Sequence, residues 1–362
     1  MKQLLAYCLS IILCVSFTGC MENYLDLYPE DKITSASFPE NESDIKLLLN
    51  GVYAQLREKE VYNQGLFGFG ITDGATPNAF NWGTDEVFNK LGAGRLSSSD
   101  GGVVTYRWKR CYEIISRANY LLACMDLVDL SEEAKAKYSG ETHFLRGLAY
   151  SVLAETYGGV PIILTNISTE EARSLKRASL EETWQQALDD YEVAITNLGV
   201  DAPEPGRATK GAALGMKMRA YLYQGKYKEV LSCVEQIDAL KKYGLFHSYE
   251  GLFDPANENN KEVLFDIQYI EGENSQGSYI DQYCGTGTGS WTRGSRYVPT
   301  DDLVAAYETI DGSPVDPENP YENRDPRLGF TAVLPGSYFL GYRFPNYLYP
   351  GCLLYTSPSP RD

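Results

Sequence analysis

Glu141-Thr142-His143-Phe144-Leu145-Arg146-Gly147-Leu148-Ala149-Tyr150, running on to Tyr157-Gly158-Gly159-Val160-Pro161, is the stretch that decides the fold. Tyr138, Thr142, Leu145, Leu148, Ala149, Val152 and Tyr157 recur at helical spacing, which predicts a helix starting near Ser131. Gly158-Gly159 supplies a left-handed stop, and Pro161 forbids continuation. The same period repeats on both sides. Ile45, Leu48, Leu49, Val52, Tyr53 and Leu56 form one face, with Asn41 as its N-cap. Trp108, Cys111, Tyr112, Ile115, Ala118 and Leu122 form a second. A further helix begins at Ser179, where Glu182 completes a capping box, and carries Trp184, Leu188, Tyr191, Ile195 and Leu198. Two more, over Thr209 to Gln224 and Tyr227 to Lys241, flank Gly225. The chain therefore reads as mainly α, with helix pairs, long irregular loops and few short strands.

The loops are unusual. Gly65 to Gly102 is rich in Gly, Asn, Asp, Thr and Ser, with Phe67, Phe69, Phe80, Trp82 and Phe88 among them. Ser275 to Arg296 is similar, with Tyr279, Tyr283 and Trp291. Loops of this length are functional or disordered, and the aromatics argue against disorder. At the N-terminus, Lys2 precedes an uncharged apolar run from Leu4 to Phe17, then Thr18, Gly19 and Cys20. The run is a secretory signal, too short for a comfortable membrane span. A small residue directly before a cysteine resembles the lipobox of bacterial lipoproteins, which implies cleavage before Cys20 and acylation of its thiol.

Formal net charge is −17, which argues against nucleic acid and against direct binding to an anionic membrane face. Cys111, Cys124, Cys233 and Cys284 show no metal spacing, and two histidines exclude a histidine-rich metal site. Cys111 and Cys124 fall on one helix, too far apart to bridge, so buried free thiols are expected. No cofactor is expected. Nothing like a nucleophile elbow, a zinc motif or a phosphate loop occurs.

The helix pairs resemble a known repeat: Trp184-x-x-Ala187-Leu188-x-x-Tyr191 followed by Tyr221-x-x-x-Gly225-Lys226-Tyr227 is similar to tetratricopeptide usage. A wider resemblance covers nearly the whole chain after Cys20. Tyr24-Leu25-Asp26-Leu27-Tyr28-Pro29, Leu49-Asn50-Gly51-Val52-Tyr53 and Ile115-Ser116-Arg117-Ala118-Asn119 come first. The opening stretch from Glu141 to Pro161 is the strongest piece. Gly206-Arg207-Ala208-Thr209, Asn260-Lys261-Glu262-Val263-Leu264-Phe265 and Asn323-Arg324-Asp325-Pro326-Arg327-Leu328 follow. In number and order these pieces resemble the SusD/RagB family of nutrient-binding outer-membrane lipoproteins. Their physical reading is structural: Glu141 and Arg146 as a solvated or packed ion pair, Arg207-Ala208-Thr209 as a helix entry, and an Arg–Asp pair within Asn323-Arg324-Asp325-Pro326-Arg327 as a loop lock.

The resemblance implies a surface lipoprotein of the outer membrane, held in lipid through acylated Cys20. It would bind oligosaccharide or polysaccharide without catalysis and deliver it to a SusC-like TonB-dependent transporter. A glycan site wants flat aromatics plus polar side chains for hydroxyls. Composition of the two loops points to Asp73, Asn78, Trp82, Trp291 and Arg293. Two other readings stand beside this one. A glycan-degrading enzyme would need paired carboxylates about 5–9 Å apart. A helical-repeat scaffold would bind protein partners and no glycan. The expected organisation is a signal peptide over 1–19, an anchor and N-terminal segment over 20–40, and the α-helical scaffold over 41–270. Residues 271–350 read as the start of a truncated C-terminal SusD/RagB region, and 351–362 as a tail resembling translated adapter sequence.

Overall fold

The computed structural model describes residues 38–57, 73–81, 90–97, 99–269, 297–339 and 342–344. Helix α1 (Glu42–Tyr53) starts at the expected cap: the Asn41 side chain accepts from the backbone of Ser43 and Asp44, and Asp44 reaches back to the Asn41 amide. Ile45, Leu49 and Val52 are buried along its inner face. A 3₁₀ turn, Ala54–Arg57, follows.

Helix α2 (Val103–Cys124) leads to α3 (Glu132–Tyr157), the longest helix described. Ser131 caps α3 by accepting from the Ala134 amide, and Gly158, at φ 74°, ends it as expected. From Gly140 to Ala154, α3 is buried on almost every side, which makes it the central helix rather than a surface one. It packs against α5 (Leu180–Asn197) most extensively, and also against α2, α1 and α6 (Lys210–Tyr223). Gly147 permits the close crossing with α5: a Cβ there would sit 3.0 Å from the Tyr191 ring and 3.1 Å from the Ala187 carbonyl oxygen. Helix α5 packs on α6, and α6 on α7 (Tyr227–Ala239). Successive neighbours thus stack as hairpins, the arrangement that lets amphipathic pairs share one core. Phe144, Tyr150 and Tyr191 are the largest fully buried side chains of that core.

The capping signals at Ser179 and Thr209 hold: Ser179 and Glu182 form the reciprocal pair, and Thr209 accepts from Ala212. Cys111 and Cys124 lie buried and free on α2, and Cys233 is buried and free on α7. Three short helices were not read from the sequence: α4 (Thr169–Ser174), α8 (Asp301–Ala306) and α9 (Arg327–Thr331). One or two turns carry too little periodicity to register. Strands are few among the described residues. β1 (Ala79–Asn81) pairs antiparallel with β2 (Tyr297–Pro299), and β3 (Tyr338–Phe339) pairs with β4 (Tyr342–Arg343).

Candidate functional site

The polar residues of the quoted motifs find one another across helices. Arg146 donates from Nε and Nη2 to both carboxylate oxygens of Asp190, at 3.0 and 2.7 Å, and from Nη1 to Asn119 at 2.7 Å. Asn119 in turn donates to the carbonyls of Ile163 and Thr165, and His143 Nδ1 lies 2.7 Å from Asp190. This buried cluster ties α2, α3 and α5 to the chain after Pro161. Glu141 takes different partners. It accepts from the Tyr53 hydroxyl at 2.7 Å and lies 3.5 Å from Arg207, whose guanidinium covers the Tyr53 ring. The ion pair expected between Glu141 and Arg146 is therefore not formed; five residues apart on one helix, they face different neighbours. Burial raises the Glu141 carboxyl, while Tyr53 and Arg207 oppose the rise. Burial and the Glu141 charge hold the Tyr53 phenol well above its ordinary value, so it serves as a neutral donor.

The Arg–Asp pair of this segment is Arg327 with Asp325, at the surface, and the buried tie is Arg324, which bonds backbone carbonyls instead of a carboxylate. Arg324 is buried and donates to the carbonyls of Pro320, Val304 and Tyr307, while Asp325 pairs with Arg327. These groups hold the scaffold, although Tyr53 and Arg207 also border an open space and the buried Arg324 Nε makes no hydrogen bond. Among the described residues, no group of three or more His, Cys, Asp or Glu could hold a metal ion.

The site residues expected from the sequence lie elsewhere. Asp73 and Asn78 are exposed on the segment that enters β1. Thr76 folds back on the Asp73 carbonyl, and the Asn78 carbonyl accepts from the Thr300 amide at 3.1 Å. The ribbon pairs Ala79 with Pro299, Phe80 with Val298 and Asn81 with Tyr297. It therefore joins two points of the chain more than 200 residues apart, a link that three-residue strands do not announce in sequence. Trp82 follows Asn81 directly, and Trp291 and Arg293 precede Tyr297; these three and Cys20 lie outside the described residues. An open concavity of about 180 Å³ is lined by Asn50, Tyr53, Arg57, Arg207, Phe265 and Gln268, among others. Sequence reasoning read several of these as motif residues but had no signal that they border a space. Its lining comes from residues 50–57, from Pro205, Gly206 and Arg207 before α6, and from residues 265–268.

Helix hairpins stacked around a central helix, with a short antiparallel ribbon pairing residues 79–81 with 297–299, define a mainly helical scaffold. The chain belongs to the SusD family. The family profile described as "Starch-binding associating with outer membrane" matches residues 23–222, and the SusD family profile matches residues 261–354. SusD-like protein P25 of Formosa agariphila is 26% identical over 321 residues, covering 82% of this chain and 58% of its own. A SusD-like protein of Bacteroides ovatus is 23% identical, covering 70% of this chain and 48% of its own. The crystal structure of a SusD-like carbohydrate binding protein from Bacteroides fragilis superposes with a TM-score of 0.75 at 27% identity. That match covers 85% of this chain and 62% of the other. The chain thus spans about half to three fifths of the relatives it matches.

Proposed function

We propose that this protein is a surface glycan-binding lipoprotein that captures oligosaccharide, without catalysis, and delivers it to a SusC-like TonB-dependent transporter in the outer membrane. The observation that carries the reading is the β1–β2 ribbon, which pairs Ala79–Asn81, within one Gly- and aromatic-rich stretch of sequence, with Tyr297–Pro299, which directly follows the other. Family membership supports the ligand class, since the profile over residues 23–222 is described as starch-binding and the Bacteroides fragilis relative as carbohydrate-binding. Trp82 and Trp291 supply stacking faces in this reading, and Asp73, Asn78 and Arg293 bind hydroxyls. The motif carboxylates are poor candidates for an acid–base pair, because Glu141 and Asp190 are already held by Tyr53, Arg207 and Arg146.

Calorimetry of the full chain against neutral oligosaccharides tests this. Trp82→Ala and Trp291→Ala should each weaken binding by about 1–2 kcal/mol with helicity unchanged. Binding should depend little on salt, because the ligand is uncharged. Unchanged affinity in both variants would remove these residues from the site. Hydrolysis of the ligand in the calorimeter cell would move the protein to the enzymes.

A further inference from the structure

The β1–β2 ribbon is tied at one end to α8, and both ends of that short helix are fixed by side chains. Thr300 stands at its start. The Thr300 hydroxyl accepts from the Leu303 amide at 3.2 Å and donates to the Pro77 carbonyl, and the Thr300 amide donates to the Asn78 carbonyl at 3.1 Å. One residue therefore caps α8 and binds it to the segment that enters β1. At the other end, Arg324 donates from Nη2 to the carbonyls of Val304 and Tyr307, at 2.5 and 2.6 Å, and from Nη1 to that of Pro320 at 2.6 Å. Carbonyls of a last helical turn lack partners within the helix, so a guanidinium fork there fixes where the helix ends.

Arg324 is aimed inward by its own turn. Asn323, at φ 54°, adopts the left-handed conformation that Asn tolerates better than most residues. The Asn323 carbonyl accepts from the Ile310 amide at 2.9 Å, and the Asp325 amide donates to the Glu308 carbonyl at 2.8 Å. Arg324 lies between them, bridged to Thr309, and is 7% exposed. It does not serve the helical stack: among the described residues, the main apolar core takes in none after Ile267. Its bonds lead instead to α8, and through Thr300 to Pro77 and Asn78.

We infer that Arg324 is a positioning residue for the candidate glycan site, acting through α8 and Thr300 on the segment that carries Asp73 and Asn78. A helix of six residues does not persist unaided. Without Arg324 the Val304 and Tyr307 carbonyls lose their buried donor, α8 frays from its end, and Thr300 no longer holds Pro77 and Asn78 in place. The inference rests on the glycan-binding reading above. Its distinct consequence is a mechanical one: a change at Arg324 is felt more than 200 residues earlier in the chain, at the entry to β1, and not in the helices between.

The test compares amide hydrogen exchange in the full chain, Arg324→Ala, Thr300→Val and the double variant, with affinity for maltohexaose or laminarihexaose read by calorimetry. Arg324→Ala should speed exchange about tenfold over residues 300–307 and also over 76–81, with α3 unchanged. Thr300→Val should do the same over 76–81. The double variant should go no further there than Arg324→Ala alone, because both changes break one line of contacts. Oligosaccharide affinity should fall about tenfold in each single variant and no more in the double. Faster exchange confined to 300–325 overturns the coupling, and so do additive effects in the double variant. Faster exchange throughout α3 overturns it in favour of a general part in folding. Coupled exchange with unchanged affinity overturns the positioning role and leaves the glycan reading standing. A parent that binds neither oligosaccharide overturns both.

Discussion

Asp190, 1% exposed, accepts from Arg146 and holds His143 beside it. An arginine stripped of its only carboxylate partner inside a protein is left as an uncompensated charge. Asp190→Ala should therefore cost about 3–5 kcal/mol of stability, measured by urea unfolding. A loss under about 1 kcal/mol would mean that Asn119 and water satisfy Arg146 unaided. The sequence shows Arg146 plainly, inside the motif on α3. It does not show Asp190, which follows Asp189 on an amphipathic helix and reads there as one more solvated carboxylate. Glu141 is the same case. Its partners Tyr53 and Arg207 lie in other motifs, 88 and 66 residues away, and only the packing of α1 and the α5–α6 turn against α3 brings them together.

At the level of elements, the long helices were legible because each carries enough turns to display its face and its cap. Helix α5 is the clearest: Ser179 and Glu182 start it, and Trp184, Leu188 and Tyr191 line the buried side. Trp184 is 6% exposed and packs its ring 6.4 Å from that of Tyr223 at the end of α6. Trp184→Ala should cost about 3–5 kcal/mol in thermal or chemical unfolding, as a large ring lost between paired helices. A change below about 1 kcal/mol would place Trp184 on the surface instead. The α4, α8 and α9 helices and the β1–β2 ribbon stayed hidden for the opposite reason. Each is too short for a period of its own and is fixed by contacts elsewhere, such as the Thr300 cap of α8 and the Asn78–Thr300 bond beside the ribbon.

For the whole molecule, the mainly helical architecture and the family were legible from periodicity and motif order together. The candidate site was legible only as composition, because loop aromatics follow no period. Of the residues named for it, Asp73 and Asn78 fall within the described residues, exposed and next to the ribbon. No helix among the described residues is long and apolar enough to cross a membrane. Attachment to the outer membrane through Cys20 is therefore a separate proposal, motivated by the apolar run that ends in Gly19-Cys20. Cys20→Ala should abolish incorporation of a palmitate analogue in metabolic labelling, and label kept by the variant would refute the anchor. The ribbon also has a consequence for how the chain reaches its final shape. Its flanking bond from Thr300 to Pro77 spans 223 residues, whereas the helix hairpins are closed by neighbours in the chain. Closing a loop that long is entropically costly until the intervening segments have already compacted. The stacked hairpins therefore shorten the search, and the ribbon zips late. During synthesis from the N-terminus, the first aromatic-rich loop waits for its counterpart until the chain has grown past Pro299. The ribbon is then expected to close at the end of folding, on a helical stack that is already formed.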